Sequence, residues 1–122
     1  MNIPAARISF SEADRKQIVW QVDEILASGQ LTLGKYGKEF EERFAAFVGT
    51  KYAVAVNSGT SALEIILRAL DIEGSSVIVP TNTFFATPAS VVHAGGTVVF
   101  ADTSDNLCLS PKSLKHNIRK DT

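Results

Sequence analysis

The segment Val54-Ala55-Val56-Asn57-Ser58-Gly59-Thr60-Ser61-Ala62-Leu63-Glu64 sets an apolar β-rich run, a turn of small residues and a helix start in immediate succession. Such a turn aims several backbone N–H groups and the positive end of a helix dipole at one point, which is how protein backbone binds phosphate. Neither GxGxxG nor GxxxxGK[ST] occurs in the chain, so the dinucleotide and P-loop versions of this arrangement do not apply. What remains is a cup of small residues carrying hydroxyls, with the N–H groups of Gly59, Thr60 and Ser61 available to a compact phosphate on a cofactor. The same residues would equally make an ordinary N-cap turn, where Ser and Thr are favoured. Local sequence leaves both readings open.

A second segment, Pro80-Thr81-Asn82-Thr83-Phe84-Phe85-Ala86-Thr87-Pro88, is unusual for a loop because two aromatic residues sit among Thr and Asn. One ring facing a cleft would stack on a planar ligand in offset geometry. In open α/β sheets ligands bind beyond the carboxyl ends of the strands. Segments 57–61, 81–87 and 102–105 all follow apolar runs and are expected to converge there. A phosphate cup beside an aromatic platform describes a site for a flat phosphorylated cofactor such as pyridoxal phosphate. Asp102 and Asp105 read as cap and turn residues. His93 lies late on a helix, where a cation suits the dipole, and His116 faces solvent. No Ser/His/Asp set and no metal-ligand cluster can be assembled, so no metal site is expected.

The elements that must position these segments follow from pattern. Ser11-Glu12-Ala13-Asp14 is an N-cap with an acidic first turn, opening a helix to about residue 28 that Gly29 stops. Phe40, Phe44, Phe47 and Val48 share one face of a second helix ended by Gly49, and their spacing is that of core packing. Beyond Lys51, strand and helix alternate. Residues 52–56 read as a buried strand, and 60–70 as a helix with Leu63, Ile66, Leu67 and Leu70 inward. Then come a strand at 77–80, a helix at 87–93, a strand at 97–101 and a last helix from Pro111. This order indicates βαβ crossovers and a mostly parallel sheet with flanking helices. Three such strands leave sheet edges uncovered, which reads as the opening portion of a larger α/β protein.

Composition narrows the class. The chain has 122 residues, 45% of them hydrophobic, with 12 basic against 13 acidic side chains and a formal charge of −1. That balance points away from nucleic acid and anionic membranes as partners. Cys108 stands alone, no signal-peptide pattern opens the chain, and no apolar run approaches a membrane span. A cytoplasmic protein is expected.

The ordered set of motifs resembles one family. Gly29-Gln30-Leu31-Thr32-Leu33-Gly34 is followed by Glu39-Phe40-Glu41-Glu42-Arg43-Phe44-Ala45 and by Asn57-Ser58-Gly59-Thr60-Ser61-Ala62-Leu63. Val77-Ile78-Val79-Pro80, Thr83-Phe84-Phe85-Ala86-Thr87, Ala94-Gly95-Gly96 and Val98-Val99-Phe100-Ala101-Asp102 continue it. Together they resemble the DegT/DnrJ/EryC1/StrS (sugar) aminotransferases over nearly the whole chain. The resemblance implies the aspartate-aminotransferase (type I) fold and pyridoxal phosphate as cofactor. Residues 1–50 would be an N-terminal helical segment, and 51–122 the first part of the cofactor-binding large domain. It further implies that Gly59, Thr60 and Ser61 hold the cofactor phosphate and that Phe84 stacks on its ring with Phe85 packed behind. Gln30, Leu31 and Thr32 would lie near the sugar. Members of the family typically aminate a keto group on a nucleotide-linked sugar, with glutamate as donor, and work as homodimers in nucleotide-sugar and polysaccharide biosynthesis.

The family's Schiff-base lysine and the aspartate that pairs with the pyridine nitrogen lie later in its large domain, without counterparts here. Catalytic residues are therefore expected to be absent from this chain, which alone should be inactive. A pyridoxamine-phosphate-dependent sugar dehydratase of the same fold, with histidine in the lysine's place, fits these residues equally. A non-catalytic remnant acting only through dimerisation is the rival from another class. An amine that captures the cofactor must be held close and partly desolvated, lowering its pKa from about 10 toward neutrality. Lys16, Lys35, Lys38, Lys51, Lys112, Lys115 and Lys120 all lie in polar surroundings. Borohydride trapping with pyridoxal phosphate and peptide mapping is expected to give scattered labelling; stoichiometric capture by one lysine would contradict it.

Overall fold

Ser11 starts the first helix, α1 (Glu12–Ser28), through a reciprocal pair of bonds. Its hydroxyl accepts from the Asp14 N–H at 3.1 Å, and the Asp14 carboxylate accepts from the Ser11 N–H at 3.2 Å. The hydrogen bonds from the Ser11 hydroxyl and N–H hold the Asp14 carboxyl below its ordinary value. Helix α2 (Lys35–Val48) ends at Gly49, whose φ of 80° lets the Gly49 and Thr50 N–H groups both donate to the Ala45 carbonyl. Both helices and both glycine stops fall where capping chemistry puts them. The computed structural model describes residues 6–122, in two units that meet at Ala55/Val56.

In the first unit, α1 and α2 are joined at Glu24, whose carboxylate accepts from Lys35 Nζ at 2.8 Å and from the Tyr36 hydroxyl. Ala45 is the buried apolar residue of α2. The aromatic stripe on α2 is not core as its spacing suggests. Phe40, Phe44 and Phe47 are all exposed, Phe47 to 88%, and only Phe40 and Phe44 touch, with ring centroids 5.7 Å apart. The stripe is correctly phased for burial, but among the described residues of this unit no surface covers it. Residues 52–56 correct the expectation of a buried strand. They form no ladder, and Tyr52 and Val54 are exposed. A strand exists only through its neighbours' N–H and C=O groups. Here Ala55 N–H instead donates to the Glu41 carboxylate at 2.8 Å.

The second unit runs α3 (Gly59–Ala69), β1 (Ser76–Pro80), α4 (Ala86–His93), β2 (Thr97–Ala101) and α5 (Pro111–Asn117). Strands β1 and β2 pair in parallel from Ser76↔Thr97 to Pro80↔Ala101, a two-stranded sheet where the pattern suggested three. Helix α4 is the crossover and packs against both strands. The core is Val79 of β1, Val91 and Ala94 at the end of α4, and Val99 and Ala101 of β2, all below 9% exposed. Helix α3 lies against α4. Its Leu63, Ile66 and Leu70 nevertheless remain exposed, with Leu67 partly covered, so the expected inward face is only partly enclosed.

Gly96 marks the tightest approach in this unit. A Cβ there would stand 2.6 Å from Ile72 Cδ1 and 3.1 Å from Val91 Cγ1. Gly96→Ala is expected to destabilise the chain by about 1–3 kcal/mol through overpacking. Ile72→Val, which removes the nearest carbon, should recover part of that loss in the double variant. Equilibrium denaturation of the four chains measures both effects.

Candidate functional site

The turn at 57–61 is held by its own side chains. Ser58 takes extended backbone and caps α3, its Oγ accepting from the Ser61 N–H at 3.1 Å. Ser61 Oγ donates to Asn57 Oδ1 at 2.7 Å and lies 3.0 Å from Ser58 Oγ. Asn57 and Ser58 therefore fix the turn from one side. The Gly59 and Thr60 N–H groups, at the first two positions of an 11-residue helix, have no hydrogen-bond acceptor among the described residues. Of the three donors expected here, two stand free and the Ser61 N–H is shared with the cap. The residues around the turn are largely exposed. This is the donor set and dipole polarity that an anion requires.

The aromatic segment meets the same end of the unit. Ser90, fully buried in α4, places its hydroxyl 2.7 Å from the Ala86 carbonyl and 3.3 Å from the Thr60 carbonyl. The start of α4, just after Phe84 and Phe85, is thereby tied to the first turn of α3. Both rings are about four-fifths exposed. Phe84 thus has an accessible face as expected, whereas Phe85 does not pack behind it. The Thr83 and Thr87 hydroxyls lie 2.9 Å apart, and the Phe84 carbonyl accepts from the Thr87 N–H at 3.0 Å, bracing the segment below the rings.

The third segment joins the second through backbone. Thr81 N–H donates to the Ala101 carbonyl at 3.1 Å, and the Asn82 amide donates to the Leu107 carbonyl at 2.9 Å. Asp102 is held by its main chain, donating to Ser113 Oγ and accepting from the Ser110 N–H. His93 ends α4 and places Nδ1 3.5 Å from Glu64 Oε2. Glu64 also accepts from Arg68 Nε, whose guanidinium reaches the His93 carbonyl, so this cluster locks α3 to the far end of α4. Among the described residues no group of three His, Cys, Asp or Glu residues is placed to hold a metal ion, and no helix is long and apolar enough to cross a membrane.

Gln30, Leu31 and Thr32 belong to the first unit and are exposed. Gln30 Nε2 donates to the Leu33 carbonyl at 3.2 Å, and Leu33 takes φ 52°, a left-handed conformation uncommon for a bulky residue. Gln30 and Leu31 line a cavity of about 360 Å³ with Glu24, Ile25, Lys35 and Tyr36. The Lys35 and Tyr36 hydrogen bonds hold the Glu24 carboxyl below its ordinary value, and Glu24 in turn raises the Tyr36 hydroxyl and the Lys35 ammonium. Ser90 is the buried link between α3 and α4 that periodicity did not single out. Its signal is a hydroxyl inside the otherwise small and apolar run Ala89-Ser90-Val91-Val92.

The second unit thus presents an α3 terminus with two uncommitted N–H donors, tied through Ser90 to the start of α4, which follows two exposed aromatic rings. Residues 12–122 match the model of the DegT/DnrJ/EryC1/StrS aminotransferase family, and the chain belongs to that family. It is 45% identical over 102 residues to the spore coat polysaccharide biosynthesis protein SpsC of Bacillus subtilis, covering 82% of this chain and 26% of that protein. It is 41% identical over 92 residues to the UDP-N-acetyl-3-dehydro-alpha-D-glucosamine 3-aminotransferase of Acidithiobacillus ferrooxidans, covering 75% of this chain and 25% of the relative. The E coli GDP-4-keto-6-deoxy-D-mannose-3-dehydratase, solved with bound hydrated PLP, is similar with a TM-score of 0.83 and 30% identity. That similarity covers 99% of this chain and 32% of the solved one. The chain thus spans about a quarter to a third of the length of these relatives.

The Glu24 cluster has a definite pH signature. A carboxyl whose folded pKa is depressed contributes fully above its unfolded value and loses that contribution as pH falls through the folded value. Nuclear magnetic resonance of the Glu24 carboxyl carbon is expected to show a midpoint below 4.5, its ordinary value. Lys35→Met and Tyr36→Phe together should move that midpoint back up.

Proposed function

We propose that this chain is the N-terminal part of a pyridoxal-phosphate-dependent aminotransferase acting on a nucleotide-linked keto sugar, with an amino acid, glutamate, as donor. The observation that carries the reading is the pair of uncommitted N–H groups at Gly59 and Thr60, tied through Ser90 to the start of α4, which directly follows Phe84 and Phe85. These residues fit the cofactor. The Gly59 and Thr60 N–H groups would donate to phosphate oxygens and the α3 dipole favours the dianion, while the Ser61 hydroxyl, donating to Asn57 Oδ1, holds the turn in place. Phe84 offers its exposed face to the pyridine ring and keeps water from that side. When bound, pyridoxal phosphate supplies the electron sink for breaking a bond at the α-carbon of the donor. The loop of Gln30, Leu31 and Thr32 contributes to the sugar site, and its cavity-lining Gln30 amide and Lys35 ammonium are suited to hydroxyls and phosphates. The UDP- and GDP-sugar names of the relatives support the nucleotide-linked substrate class.

In this reading the protein works in the cytoplasm as a homodimer, a form suited to the apolar faces that α1 and α2 present. The similarity to a sugar dehydratase supports a second reading, a pyridoxamine-phosphate-dependent dehydratase on the same scaffold. Reaction of the native gene product with a nucleotide-linked keto sugar separates the two: aminated sugar from glutamate supports the first, and a deoxygenated sugar supports the second. The cofactor site is tested on this chain with pyridoxamine 5′-phosphate, which lacks the aldehyde that labels lysines. Its addition should shift the Gly59 and Thr60 amide resonances, and pyridoxamine without phosphate should not. Phe84→Ala should weaken binding roughly 5- to 150-fold, the range for one aromatic stack of about 1–3 kcal/mol on a ring of this kind. Unmoved Gly59 and Thr60 resonances would overturn the site.

A further inference from the structure

Ser90 is the one fully buried polar side chain in α4, and its hydroxyl serves two elements at once. The single hydroxyl proton lies between the Ala86 carbonyl at 2.7 Å and the Thr60 carbonyl at 3.3 Å, a shared, three-centre arrangement. Ala86 is the first residue of α4 and follows Phe84 and Phe85 directly. Thr60 is the second residue of α3. Because a peptide unit is planar, the direction of the Thr60 carbonyl fixes the direction of the Ser61 N–H on the same plane. Holding that carbonyl also resists rotation of the first turn of α3, where the Gly59 and Thr60 donors sit.

A hydroxyl at this depth is not explained by packing. Alanine would fill nearly the same volume between α3 and α4 without burying a polar group, and an i−4 bond within a helix adds little of its own. We propose that Ser90 is a positioning residue that sets the phosphate-binding turn at 59–61 and the ring-bearing segment at 84–85 in one frame. This rests on the reading of 59–61 as the phosphate site. Ser90 touches neither cofactor nor substrate; it acts through the Thr60–Ser61 peptide and the first turn of α4.

The test compares Ser90→Ala, Ser90→Cys and Val91→Ala with the parent chain, using pyridoxamine 5′-phosphate as probe and the Gly59, Thr60 and Ser61 amide resonances as readout. Ser90→Ala should weaken binding about 3- to 10-fold, the range for the net worth of one neutral hydrogen bond. It should also speed hydrogen exchange at the Ser61 amide in the ligand-free chain. Ser90→Cys, retaining a weak donor of similar shape, should recover part of both effects. Val91→Ala, a core truncation on the same helix, should lower the melting temperature while leaving the affinity within about twofold. Equal losses of affinity in Ser90→Ala and Val91→Ala would overturn the proposal by showing a merely structural role. So would an unchanged affinity in Ser90→Ala, or in Ser90→Cys should the alanine variant not fold. Failure of the parent chain to show the phosphate-dependent shifts would instead overturn the reading of the turn, and this proposal with it.

Discussion

Seating α4 on the parallel pair of β1 and β2 is the constraint from which the second unit follows. The residues that make the seat are small: Val79, Val91, Ala94, Val99 and Ala101 are buried, and a side chain at Gly96 would crowd Ile72 and Val91. Small residues bring helix and strands close, and a close approach leaves no space for a slip in register. The loop between Pro80 and Ala86 is consequently short and stiff, pinned to Ala101 at one end and braced by Thr83 and Thr87 at the other. Two phenylalanines stand exposed on that loop because its backbone is fixed beneath them.

The two units handle charge in opposite ways. At Glu24, one carboxylate is satisfied by an ammonium and a phenol, leaving little net potential outside the cluster. At the start of α3 the reverse holds. The cap consumes one donor and leaves two N–H groups and an uncompensated dipole facing outward, with no acidic residue in the first turn. An Asp or Glu at that position would offset the dipole, as Glu12 and Asp14 do in α1. Without such a residue the positive end of the α3 dipole is left uncompensated by side-chain charge.

The helices could be read from sequence because caps are local. Ser11, Asp14, Gly29 and Gly49 each act within four residues of their own position, and each helix end they specify is where they put it. The crossover from Ser76 to Ala101 was legible for a related reason, since its strands and helix follow in order and pair with one another. Residues 52–56 have a strand's composition without a ladder, because composition does not supply the neighbour that a strand needs. The α2 stripe of phenylalanines was legible as a face but not as a core, for burial depends on a second surface and not on the 3.6-residue period. The turn at 57–61 was visible as a motif, while the division of its donors into free and committed groups depends on the geometry of Ser58 and Asn57. Ser90 escaped notice because its partner Thr60 lies 30 residues away.

The parallel register also shapes how the chain reaches this form. Every residue of β1 pairs with one 21 positions later, so the strands cannot zip from a tight hairpin. The entropy of closing that loop is lost before any ladder bond forms, unless α4 has already shortened the span. The Gly96 N–H donates to the Val91 carbonyl at 2.9 Å, bringing the end of α4 and the start of β2 into contact within a few residues. Helix first, second strand folded back onto it, first strand added last is therefore the entropically cheapest order of assembly. On that order the crossover helix shortens the span that the parallel pair must close.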